Sequence, residues 1–133
     1  MAPTRTVTAT WVDTLHARVD AGGFELQVDE PPEAGGTGTG PQPTDLFLAS
    51  VSSCFALAVA WTAARQGVTL RDLRVAATGE YDGAAFAAVT VTVRSSSHSR
   101  DELDRLAKDA ERVCYVTNTL RRSPTVTIEV APD

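Results

Sequence analysis

The chain has 133 residues, 43% hydrophobic and 22% charged, which is material for one domain, residues 1–133, around one core. Twelve basic residues against seventeen acidic ones give a net charge of −5, and the basic ones are dispersed, so no positive patch is available for nucleic acid. Two cysteines and two distant histidines, His16 and His98, lack metal-ligand spacing, and no charged-then-apolar N-terminal stretch resembles a secretory signal.

The first segment, Thr4 to Asp13, alternates Val7, Ala9 and Trp11 with Thr6, Thr8 and Thr10, which predicts a strand. Leu15 to Asp20 alternates again, and Ala21-Gly22-Gly23 supplies a turn. Phe24 to Asp29 sets Phe24, Leu26 and Val28 against Glu25, Gln27 and Asp29, completing an antiparallel meander of three strands. Glu30 to Pro41 (EPPEAGGTGTGP) is the one long loop. Its glycines complete no dinucleotide fingerprint and no Lys follows to make a P-loop, so it reads as a surface connection.

From Leu46 to Ala64 there is no charge, Gly or Pro. Pro43 suits a first helical turn, Thr44 and Asp45 offer a capping oxygen and a negative charge there, and Arg65 and Gly67 mark the end. The run predicts one buried helix from Pro43 to Gln66, apolar nearly all round and wrapped by other elements. A membrane span needs about 20 apolar residues. Ser50, Ser52, Ser53, Thr62 and the many alanines argue against one, as does the lack of Lys/Arg asymmetry in the flanks.

Beyond the helix, Asp72 to Tyr81 and Phe86 to Ser95 predict two strands joined by a hairpin turn at Asp82-Gly83. Ser97 to Ser99 can cap an amphipathic helix from Arg100 to Val113, with Leu103, Leu106, Ala107, Ala110 and Val113 on one face. Cys114 to Leu120 reads as a turn or short helix, Arg121 to Pro124 as a linker, and Thr125 to Val130 (TVTIEV) as a final strand. Three strands, a helix, two strands, a helix and a strand make an α+β fold.

Cys54 falls in the middle of the apolar helix and Cys114 just past the second helix. By composition both can be small buried hydrophobes. The other reading is a thiolate that attacks an oxidant, held by a nearby cation, with a second thiol that condenses with the sulfenic acid. A cytoplasmic setting favours thiols or a transient redox pair over a permanent staple.

The stretch from Val28 to Val59 resembles the OsmC/Ohr family, osmotically inducible protein C and the organic hydroperoxide resistance proteins. A Gly-rich loop runs into Gly40-Pro41-Gln42-Pro43-Thr44-Asp45-Leu46, and Ser53-Cys54-Phe55 follows on the helix. A second family motif is matched by Cys114-Tyr115-Val116-Thr117-Asn118-Thr119-Leu120.

The resemblance implies an OsmC-like intertwined homodimer that acts as a thiol peroxidase. Cys54 would be peroxidatic toward an organic hydroperoxide, Cys114 resolving, and a dithiol of lipoyl type the reductant. No metal, flavin or haem is implied. It also implies an assisting Arg from the N-terminal strands, for which Arg18 is the best candidate and Arg5 a weaker one. The family's Glu position is Thr44 here, with Asp45 following, so Thr44 cannot pair ionically with Arg18. Asp45 then serves either the helix start or the chemistry. Thr44 and Cys54 are ten residues apart on one helix, about 15 Å along its axis, so a helix start that assists a thiolate must assist one in another chain. The alternatives are a small-molecule or lipid-binding member of the fold without peroxidase activity, and a purely structural dimer.

Overall fold

A computed structural model describes residues 2–132. The order is β1 (Thr8–Asp13), β2 (His16–Ala21), β3 (Phe24–Asp29), a 3-10 turn at Pro32–Ala34, α1 (Pro43–Arg65), β4 (Arg74–Asp82), β5 (Ala85–Arg94), α2 (Arg100–Glu111) and α3 (Tyr115–Arg122). The chain is α+β, and it divides into two compact units, the first ending at Phe47 and the second beginning at Leu48.

The first unit holds the meander, in the order β1-β2-β3. Residues directly opposite one another share a face, so the register Arg18↔Gln27 and Val19↔Leu26 separates two surfaces. One carries Ala9, Trp11, Val19, Phe24 and Leu26; the other carries Thr8, Thr10, Arg18, Glu25, Gln27 and Asp29. Trp11 and Phe24 are 72% and 75% exposed, so the apolar surface is open in the single chain.

The Gly-rich loop is tied down rather than merely connecting. Asp29, 1% exposed, receives the backbone N–H and hydroxyl of both Thr37 and Thr39, and its own N–H donates to Pro41 O at 3.1 Å. Gly40 lies so close to β3 that a Cβ there would sit 2.1 Å from Gln27 O, which is why the position has no side chain.

The second unit packs most of α1 with the β4–β5 hairpin and the last two helices. Phe55, Ala58, Val59 and Ala63 of α1 form a core with Leu106, Ala110 and Cys114, and Val75, Val91 and Val93 pack against it. At 23 residues α1 is long and apolar enough to cross a membrane, a test that core helices also pass; 33% of its apolar window is buried, with Phe55, Ala58, Val59 and Ala63 in the core. The Ser99 hydroxyl accepts from the Glu102 N–H while Glu102 accepts from the Ser99 N–H, a reciprocal cap that starts α2. Those bonds hold the Glu102 carboxyl below its ordinary pKa, the Ser99 N–H contributing most.

Three expectations change. The wrapping of α1 is incomplete in the single chain: Ser53, Leu57, Ala60, Trp61 and Ala64 form an exposed stripe, with Leu57 at 71%. The final strand from Thr125 to Val130 is absent among the described residues, and Val126, Ile128 and Val130 stand in solvent. Alternation marks a segment suited to a half-buried ladder, but a ladder also needs a neighbour, and no described strand pairs with this segment. Arg121 and Arg122, expected in a linker, form the last turn of α3, where their charge suits the helix C-terminus.

Candidate functional site

Cys54 is held where α1 turns from core to surface. Phe55, Ala58 and Val59 face inward while Ser53 and Leu57 face out, which leaves Cys54 half-buried at the boundary. The flanking serines turn back on the helix: Ser52 Oγ donates to Ala49 O at 3.3 Å and Ser53 Oγ to Ser50 O at 3.5 Å. Their hydroxyls therefore cost the apolar surroundings little.

Cys114 is fully buried and occupies the corner between α2 and α3, as the N-cap residue of α3. Its carbonyl accepts from the Asn118 N–H at 3.0 Å, and the Asn118 side chain donates to Arg112 O at 3.3 Å. Asn118 thus ties the start of α3 to the end of α2, and a 3.2 Å ion pair between Arg121 and Glu111 adds a second tie. The physical content of the second motif is a fixed corner that aims Cys114 into the core. Cys54 packs against the core cluster to which Cys114 belongs, and both are free thiols. The two residues singled out for redox chemistry are thus brought into one apolar cluster.

Arg18, Thr44 and Asp45 belong to the first unit. Arg18 projects from the polar surface of the sheet and lines a shallow depression with Thr8, Thr10, Asp20, Gly23 and Glu25. Its ion partner is Glu25 at 3.6 Å, not Asp45. Both side chains are more than half exposed, so the pair is worth about 0–1 kcal/mol and leaves the guanidinium free to turn to another anion. A polar ladder continues along this surface: Gln27 donates to Glu25 at 3.1 Å and His16 Nε2 lies 2.6 Å from Gln27 Oε1. Thr44 and Asp45 open α1, Asp45 placing its charge in the first turn, and Arg5 lies in the exposed segment before β1.

Two contributors went unread in the sequence. Glu25 is a diagonal neighbour of Arg18 across the β2–β3 hairpin, and pairing the two strands through Gly22-Gly23 would have placed it there. Asp29 reads in the sequence only as the polar end of a strand, yet it anchors the loop ahead of α1. Hydrogen bonds from the Thr37 hydroxyl and then the Thr39 hydroxyl hold its carboxyl far below the usual carboxylate range, with their N–H groups adding to this and burial opposing it. Among the described residues no three His, Cys, Asp or Glu side chains are grouped to hold a metal ion.

Known proteins share the sequence family and the fold. The family model described as OsmC-like protein matches residues 36–129. An uncharacterized protein of Acinetobacter baylyi is 29% identical over 114 residues, 83% of this chain and 80% of that one. The organic hydroperoxide resistance protein of Elizabethkingia anophelis, solved with thiocyanate bound, is 26% identical, covers 91% of both chains and superposes with a TM-score of 0.67. The organic hydroperoxide resistance protein OhrB of Bacillus subtilis is 25% identical over 89% of this chain and 90% of its own, with a TM-score of 0.65.

Proposed function

The chain belongs to the family of OsmC-like proteins, and from that premise we propose that it is a thiol peroxidase for organic hydroperoxides. The observation that supports the reading is that Cys54, half-buried on α1, packs against the apolar cluster that contains Cys114. The names of the relatives at 25–26% identity, hydroperoxide resistance proteins, support a redox role.

In the proposed cycle the Cys54 thiolate attacks the outer oxygen of ROOH. The O–O bond breaks, Cys54 becomes a sulfenic acid, and the alkoxide takes a proton to leave as ROH. The Cys114 sulfur then attacks the Cys54 sulfur, an S–S bond forms and water leaves. An external dithiol, of lipoyl type, reduces the disulfide by exchange and is itself oxidised. The apolar lining suits a hydroperoxide with a hydrocarbon tail. Arg18 supplies the cation that favours thiolate over thiol and steadies the leaving alkoxide. Thr44 stands at the position of the family Glu, and Asp45 completes the helix start beside it.

The working form is a homodimer in the cytoplasm. A second copy would cover the stripe around Leu57 and Trp61 and give the segment from Thr125 to Val130 a neighbour. Rapid-mixing oxidation with cumene hydroperoxide tests the cycle. Cys54 should react far faster than free cysteine, and parity with free cysteine would refute the reading. A second reading, a small-molecule or lipid binder of the same fold, draws on Thr44 in place of Glu and on Glu25 already facing Arg18. It requires tight binding of an apolar ligand with no accelerated oxidation.

A further inference from the structure

The loop ahead of α1 is fastened to the same sheet surface that carries Arg18. Gln27 and Asp29 alternate with Val28 on β3 and so share a face, and Arg18 stands directly opposite Gln27 on β2. The fastening has two parts. Asp29 takes four hydrogen bonds, from Thr37 N at 3.2 Å, Thr37 Oγ1 at 2.5 Å, Thr39 N at 3.1 Å and Thr39 Oγ1 at 2.7 Å. Just downstream the backbone closes on β3, where Asp29 N–H donates to Pro41 O and Gly40 lies against Gln27 O. Two residues later α1 begins.

We propose that Asp29 is a positioning residue: it clasps the loop so that Thr44 and Asp45, in the first turn of α1, are held at a fixed place relative to Arg18 on the sheet. The chemical requirement is specific. Four donors converge on one side chain, and only a carboxylate, which accepts at both oxygens and donates at neither, satisfies all four. Asn offers one accepting oxygen and turns an NH2 toward groups that are themselves donors. Asp29 is 1% exposed, and among the described residues it forms no ion pair, so the four donors are what hold its charge. The consequence for catalysis rests on the peroxidase reading; the clasp itself does not.

The test compares the full chain with Asp29→Asn and with the double variant Thr37→Val/Thr39→Val. The first measurement is amide hydrogen exchange. Both variants should lose at least tenfold protection from residue 37 through the first turn of α1, while β4 and β5 keep theirs. Unchanged exchange at 37–46 in both would overturn the proposal. The second measurement is oxidation by cumene hydroperoxide beside alkylation of Cys54 by a small neutral reagent. Positioning predicts that oxidation slows tenfold or more and alkylation stays within twofold, because the sulfur is as accessible as before. Wild-type oxidation rates in variants whose loop has loosened would overturn the catalytic part. A wild-type protein that shows no accelerated oxidation would remove the peroxidase reading alone, and the exchange data would still decide the clasp.

Discussion

Replacing Gly40 with Ala puts the close approach of loop and sheet to a quantitative test. The new methyl carbon would sit 2.1 Å from Gln27 O and 2.6 Å from Gln27 C, both backbone atoms that no rotamer change can move. Ordinary contact begins near 3.4 Å, so loop and strand must part by more than an ångström. That separation stretches the Asp29 N–H to Pro41 O bond, 3.1 Å in the native chain, and pulls on the Thr39 bonds to Asp29 one residue upstream. Two to three hydrogen bonds at about 1 kcal/mol each give a cost of about 2–3 kcal/mol. Gly22→Ala is the control. Nothing lies within 4 Å of a Cβ there, and only the left-handed backbone, φ +60, opposes the change, at about 1 kcal/mol. At roughly 3–5 °C per kcal/mol for a chain of this size, Gly40→Ala should melt about 6–15 °C lower and Gly22→Ala about 3–5 °C lower. Calorimetry at one fixed protein concentration reads both. A Gly40→Ala protein as stable as the Gly22→Ala protein would refute the packing argument.

Cys114→Ser should leave Cys54 open to a single oxidation by hydroperoxide but abolish the internal disulfide, as read by mass spectrometry; a disulfide yield equal to wild type would exclude Cys114 as the resolving thiol. Arg18→Ala should slow the first oxidation of Cys54 by more than tenfold in stopped flow, and an unaltered rate would remove Arg18 from the site. For acid, the sign follows from the lowered pKa of Asp29. A depressed folded pKa means the contribution of the clasp is complete above the unfolded value of about 4 and is lost only as pH falls through the folded one. Exchange protection of Thr37 and Thr39 should therefore be the same at pH 5 as at pH 7, whereas loss of protection between those values would contradict the bonding described. Truncation after Ser123 should shift the sedimentation mass from dimer toward monomer, and an unshifted dimer would show that the segment from Thr125 to Val130 plays no part in assembly.

What could be read in the chain was whatever depends on neighbours a few positions away. β3 alternates through Phe24, Leu26 and Val28 and begins and ends where expected, and α1 starts at Pro43 and stops at Arg65, one residue short of the expected end. Ser99 and Glu102 lie three apart, as a reciprocal cap requires. What could not be read depends on distant partners. Thr37 and Thr39 are unremarkable loop residues until the loop folds back on Asp29, eight and ten positions earlier. The segment from Thr125 to Val130 has the composition of a strand, but composition names no partner, and within the single chain it finds none. The family motifs single out Cys54 and Cys114, while the assisting Arg that the resemblance implies gave no sign that Glu25 faces Arg18.

The position of Cys114 at the joint between two helices decides which sulfur can travel. Cys54 is embedded in a 23-residue rod, and displacing it means unzipping turns on both sides. Cys114 sits at a corner held by a few separate ties, the Asn118 N–H on its carbonyl, the Asn118 side chain on Arg112 O and the Arg121–Glu111 pair. Each is worth about 1 kcal/mol or less, so moving Cys114 means releasing those ties rather than unwinding turns of a helix.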